Sequence, residues 1–178
     1  NLRAVTKGAH DSGVDPVRGI GYFSEVGVEA NKRRPAVVFY SNNLHGLSQT
    51  NPWPDLIEPD RGRAIYHGDN KSAGVPALKA RGNKLVWDLL PLYSDPTSRH
   101  LAPPILIFEQ VMHEGRRQGF RSFSGYGVPT GARLQSQAAE GGSFSNLSFE
   151  IALFEGDTKT DSFDWRWIDD RRTPGISI

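Results

Sequence analysis

The apolar residues of this chain fall into short β-branched and aromatic runs, and only one stretch carries a helical spacing. Pro35–Tyr40, Arg63–His67, Ile105–Val111, Phe120–Val128 and Ser145–Phe154 each read as a strand. Phe120–Val128 alternates apolar with polar positions, the period of a half-buried strand, and its glycines predict a bulge or bend. Leu85–Leu90 is spaced as a helix with Asp88 on the opposite side, and Asn83 stands where an N-cap would. Ser41–Pro54 and Pro91–Pro104 read as loops. Five or more strands with one main helix and long loops define an α+β domain, with a curved sheet or an open β-barrel-like core. No internal repeat is visible.

A chain of 178 residues suits one domain, 1–178, with residues 1–34 as a partly irregular lead-in. Its 19 Gly and 12 Pro, with 37% hydrophobic and 23% charged residues, describe a turn-rich globular protein. The absence of Cys excludes thiolate metal sites, disulfides and a cysteine nucleophile, and is compatible with a cytoplasmic protein. No apolar run reaches the roughly 18 residues of a membrane span. A start at Asn1 rather than Met leads us to expect a piece excised from a longer polypeptide.

Charge is distributed unevenly behind a net value of +1. The strand ending at Tyr66 runs into His67-Gly68-Asp69-Asn70-Lys71, turn chemistry that delivers polar side chains at a strand end. Lys71, Lys79, Arg81 and Lys84 then follow without an intervening acid, the local excess that a phosphate-gripping surface requires. Arg116, Arg117, Arg121 and Arg133 form a second basic block beside the single acid Glu114. Glu155–Asp170 is acidic instead, which suggests one face for an anion and another for solvent or a neighbouring domain.

Catalytic templates find little support. The five histidines, at positions 10, 45, 67, 100 and 113, form no close metal-binding pair. Ser124-Gly125 lacks the nucleophile-elbow pattern, and Gly68-Asp69-Asn70-Lys71 lacks the spacing of a phosphate-binding loop. Asp157-Thr158-Lys159 matches the acid-x-Lys element of metal-dependent nucleases but lies in a turn-like segment, where such residues gather for solubility. A self-contained nuclease using Asp157 and Lys159, or the Asp69 region, is therefore an alternative rather than the main reading.

The order of Val37–Tyr40, Asn51-Pro52-Trp53-Pro54-Asp55, Tyr66–Lys71, Arg81-Gly82-Asn83 and Phe163-Asp164-Trp165 resembles the DNA-recognition domains of modification-dependent (type IV) restriction endonucleases. The likeness covers residues 35 to 172. Two branches are similar: the AspBHI-type N-terminal domain, which reads modified cytosine, and the sulfur-binding domain of McrA-type enzymes, which reads phosphorothioated DNA. The sulfur branch implies that Arg81-Gly82-Asn83 supplies a DNA-contacting arginine and that Pro129-Thr130-Gly131-Ala132, with Val128 before it, forms an apolar sulfur cup. Val128 stands where that branch has Tyr, and Ala80 where it has His. Without the resemblance, Val128–Gly131 reads as a simple β-turn.

Sulfur is larger, softer and less hydrated than the oxygen it replaces. An apolar cup would gain dispersion contacts with it and would cost an oxygen about 1–3 kcal/mol in lost hydration. The resemblance thus implies a binding module, without cofactor or metal, that recognises modified duplex DNA and targets a nuclease domain in the same parent chain. The expected DNA contacts are Tyr66, His67, Asp69, Asn70, Lys71, Lys79, Arg81, Gly82, Asn83, Lys84, Arg116, Arg117, Arg121 and Arg133. The alternative reader of 5-methylcytosine or 5-hydroxymethylcytosine would flip the base into a pocket lined by Tyr66, Trp53 or Tyr126.

Overall fold

The computed structural model describes residues 19–28, 32–43, 47, 52–112, 114–115, 121–154 and 166–172. Its elements are β1 (Gly19–Tyr22), β2 (Val37–Ser41), β3 (Leu56–Glu58), β4 (Arg63–His67), α1 (Arg81–Ser94), β5 (Ile105–Gln110), β6 (Arg121–Ala139), β7 (Gly142–Phe154) and α2 (Arg166–Arg172). The strands form one mixed sheet in the order β1-β2-β5-β6-β7-β4-β3, parallel only between β2 and β5. This is the expected α+β architecture with a curved, unclosed sheet. Among the described residues, no helix is long and apolar enough to cross a membrane.

β2 and β5 are continuous apolar runs because both of their faces are covered. Val37, Phe39, Ile105 and Ile107 point to one side, where they meet Tyr66, Phe149, Ile151 and Val86 of α1. Val38, Tyr40, Leu106 and Phe108 point to the other, where they meet Phe23 and Ile168 of α2.

The sheet curls strongly. β2 and β4 are separated by β5, β6 and β7, so a flat sheet would hold them about 19 Å apart. Instead the rings of Phe39 and Tyr66 lie 4.3 Å apart, and the Tyr66 hydroxyl donates to the Tyr40 carbonyl at 3.3 Å. Bends in the strands make this possible. β6 shifts register against β5 beside Gly125, as its glycines foretold, and again against β7 between Pro129 and Gly131. Proline, which has no N–H to give, is tolerated in an interior strand at such a bulge. Val128–Gly131 is thus bulged strand rather than β-turn.

Other expectations are corrected. β1, unread in the sequence, lies within the partly irregular lead-in; its sequence Gly-Ile-Gly-Tyr is too short and glycine-rich to announce a strand. α1 begins at Arg81 with Ala80 at its N-cap, so Asn83 lies within the first turn. The Asn83 side chain is instead engaged in tertiary hydrogen bonds described below. α1 also runs through Pro91 to Ser94, beyond the predicted end, and its last turn closes by donation from Asp95 N–H to the Pro91 carbonyl at 3.2 Å. Phe120 lies outside the described residues, and β6 and β7 extend to a hairpin at Ala139–Gly142, longer than predicted.

The open seam is bridged at Asp69, just beyond β4. Both carboxylate oxygens accept from the Ile20 N–H of β1, at 2.9 and 3.1 Å. Gly82 of α1 packs against the same carboxylate: a Cβ there would lie 2.3 Å from Asp69 Oδ2 and 2.6 Å from Ile20 Cβ. Replacing glycine by alanine inside a helix ordinarily stabilises by about 1 kcal/mol. Here the sign reverses, and Gly82→Ala is expected to cost about 1–3 kcal/mol of unfolding free energy. A urea midpoint equal to or above that of the unaltered chain would show that the seam is not closely packed.

Candidate nucleic-acid interface

Two short segments, Gly68-Asp69-Asn70 and Gly82-Asn83, interlock beneath the surface. The Asp69 N–H donates to Asn83 Oδ1 at 2.6 Å, and Asn83 Nδ2 donates to the Ala77 carbonyl at 2.9 Å and to Asn146 Oδ1 at 2.8 Å. Asn146 Nδ2 returns to the Gly68 carbonyl at 2.6 Å. Asn70 Nδ2 donates to the carbonyls of Val75 and Ser145, at 2.9 and 2.7 Å. Asn70, Asn83 and Asn146 are buried, and each places its amide on protein partners, as buried polar groups must. A Cβ at Gly68 would lie 2.0 Å from Asn83 Oδ1, so glycine is required for this approach.

The interlock separates the expected contact residues into two sets. Tyr66, Asp69, Asn70, Gly82 and Asn83 face inward and brace the connection between β4 and α1. Lys71, Lys79, Arg81 and Lys84 are exposed on its outside. Lys84 pairs with Asp88 at 2.7 Å. Lys71, Lys79 and Arg81 form no ion pair with any described residue, whereas Lys32 and Arg34 share Glu25 and Arg61 and Arg63 share Glu58. The first turn of α1 holds no acid and has no side-chain cap, so its free N–H groups add to the positive potential.

The remaining candidates are dispersed. Arg133 pairs with Glu150 at 2.8 Å, and Arg121 donates to Asn42 Oδ1 at 3.1 Å. Arg116 and Arg117 lie outside the described residues, as do Asp157, Lys159 and Phe163–Trp165. In the proposed cup, Pro129 is buried opposite Ile151, Ala132 packs against the core, and the Thr130 hydroxyl donates to the Glu150 carbonyl at 3.2 Å. Gly131 is half-buried, and Val128 is exposed. The His67 N–H donates to Asp55 Oδ1 at 2.8 Å. Trp53 stacks near His67 and Phe144, with ring centroids 6.0 and 5.7 Å away. Among the described residues, no three His, Asp or Glu side chains gather as a metal site would require.

The curled sheet thus carries a braced connection whose exposed Lys71, Lys79 and Arg81 form no ion pair among the described residues. The model of the restriction endonuclease AspBHI N-terminal family matches residues 11–170, and the chain belongs to that family. Among solved structures, the MspJI restriction endonuclease in complex with a 27-mer oligonucleotide is 31% identical, with a TM-score of 0.71 over 90% of this chain. The chain spans 38% of the MspJI chain. The DNA recognition domain of LpnPI, a cytosine modification-dependent restriction endonuclease, shares the fold at 22% identity and TM-score 0.70, covering 91% of this chain and 70% of that one. The sulfur-binding and SRA domains of ScoMcrA, complexed with phosphorothioated DNA, reach 14% identity and TM-score 0.49 over 95% of this chain and 42% of that one, too low to carry an argument. No curated protein matches the chain.

Sequence reading missed one member of the site and one property of another. Asn146 carries no motif, and only its place on β7 beside Gly68 reveals its role. The second concerns Asp69, whose burial raises its carboxyl to a pKa of about 6, against the opposing pull of the Ile20 N–H and Lys71. Because the folded pKa exceeds the ordinary 3.8, this group favours folding most below about pH 4 and progressively less as pH rises to about 6. The loss amounts to roughly 3 kcal/mol. Asp69→Asn is expected to flatten that part of the stability profile, measured by urea unfolding from pH 4 to 7. An unchanged difference between pH 4 and 7 would show that Asp69 is solvated.

Proposed function

We propose that this chain is the DNA-recognition domain of a modification-dependent restriction endonuclease, that it reads a modified cytosine, and that the nuclease resides elsewhere in the parent protein. The observation that carries the reading is the set of exposed cations that form no ion pair with a described residue, Lys71, Lys79 and Arg81, on a connection locked to the sheet. Such cations would hold successive phosphates while the curled sheet approaches the duplex. The MspJI complex with an oligonucleotide and the cytosine-modification dependence of LpnPI support this choice of ligand.

Of the aromatic side chains expected to receive a flipped base, Tyr66 is buried with its hydroxyl engaged, and Tyr126 packs against Phe123 and Trp167. Trp53 remains half-buried at the surface and is the aromatic we assign to the base. The phosphorothioate reading has Val128 in its favour, 36% exposed beside the rigid Pro129. Its cup is weakened because Pro129 and Ala132 turn towards the core.

Binding to three matched duplexes, unmodified, carrying 5-methylcytosine and phosphorothioated, separates these readings. Preference for methylcytosine is expected. Preference for the thioated duplex would return the site to Val128–Ala132, and equal binding would reduce the domain to a generic phosphate grip. If Lys71, Lys79 and Arg81 each hold one phosphate, each alanine substitution should lower the slope of log K against log salt by about 0.9. Slopes unchanged in all three variants would remove these residues from the interface.

A further inference from the structure

Tyr22, on β1, bears no motif, yet its ring packs against the core and meets an arginine of the cationic connection. It follows Ile20 by two residues and so shares its face of the strand, the face on which Gly82 packs, while Asp69 holds the strand's edge through the Ile20 N–H. Two guanidinium groups lie over the ring, each 5.0 Å from its centroid: those of Arg34 and Arg81. Their situations differ. Arg34 is fixed by Glu25 at 3.1 Å and by the Phe23 carbonyl at 2.9 Å. Arg81 is exposed, forms no ion pair among the described residues, and has Tyr22 as its protein partner.

We propose that Tyr22 is a positioning residue that presents Arg81 to a DNA phosphate, an inference that rests on the DNA-binding reading above. Cation–π attraction engages the charge of the guanidinium and leaves its N–H donors unspent. A salt bridge would consume those donors; an aromatic platform restrains the side chain while leaving the fork free for bidentate contact with phosphate oxygens. Arg34, tied down on its own account, makes the ring a fixed platform. The rotamer freedom that Arg81 would otherwise lose on binding is then already restricted in the free protein.

The test is a double-mutant cycle on the intact chain, read as affinity for the 5-methylcytosine duplex at several salt concentrations. Exposed cation–π pairs of this kind correspond to about a two- to fivefold change in affinity. Tyr22→Leu is expected to weaken binding by that factor, Tyr22→Phe to leave it unchanged, and Tyr22→Leu to add nothing once Arg81→Ala is present. Equal losses from Tyr22→Leu with and without Arg81 would overturn the proposal, as would full affinity of Tyr22→Leu. Should Tyr22→Leu misfold, the Arg81 Nε–H proton resonance gives a second reading. A ring-current displacement, kept in Tyr22→Phe and moved on DNA addition, is expected, and its absence from the unaltered chain would overturn the proposal. Failure of the unaltered chain to bind any duplex would instead defeat the functional reading itself, and with it this inference.

Discussion

The site depends on one buried arrangement, the junction of Gly68-Asp69 with Gly82-Asn83. Each partner supplies a glycine where the other supplies a polar side chain: Gly82 makes room for the Asp69 carboxylate, and Gly68 for the Asn83 amide. The two segments are separated by a surface connection that is otherwise anchored by the Gly74 N–H donating to the Ser143 carbonyl of β7 and by the buried Ala77. With the junction, α1 is registered against β1 through Asp69 and against β7 through Asn146. The same junction bridges the open side of the curled sheet. Closure of the core and orientation of the cations are therefore consequences of one set of hydrogen bonds.

Such a junction is costly in ways an apolar one is not. Desolvation works against the Asp69 charge, and Lys71 and the Ile20 N–H offset it only in part. An apolar residue at 69 would avoid that cost but could not accept from the Ile20 N–H, and the edge strand would keep an unsatisfied donor. The arrangement trades stability for a defined geometry, a pattern associated with functional surfaces. The buried amides are less expensive, because their donors and acceptors meet protein partners.

Strands with both faces buried, β2 and β5, were the most legible parts of the sequence, because unbroken apolar runs of that length have few other destinations. The alternation in β6 and β7 was legible because a period of two marks a half-buried strand, although their extension into a polar hairpin was not. β1 was hidden by its glycines. Asn83 was read as a cap because local sequence favours that role, and tertiary partners displaced it. The cationic connection stood out from charge alone, but charge cannot distinguish Arg133, neutralised by Glu150 across the β6–β7 ladder, from Arg81. Nor can a motif show which of its residues face inward. Asp69, Asn70, Gly82 and Asn83 were read as contacts, and the structure shows them packed and hydrogen-bonded beneath the cations.

This division clarifies why the motif combines residue types of opposite character. A phosphate-binding surface made only of flexible lysines loses rotamer freedom at every contact, and each ordered side chain subtracts about 0.5–1.5 kcal/mol from affinity. Bracing the backbone from below reduces the part of that cost that arises in the loop. It leaves side-chain entropy untouched for Lys71 and Lys79, whose side chains form no hydrogen bond or ion pair with a described residue. Arg81 is placed differently, at the first turn of a helix and over an aromatic ring. Its charge adds to the field of the helix N-terminus, and its planar fork suits bidentate phosphate contact, which a lysine ammonium cannot reproduce. On the proposed DNA-binding reading, geometry therefore ranks the cations where composition could not: the lysines would supply long-range attraction, and Arg81 a directed contact.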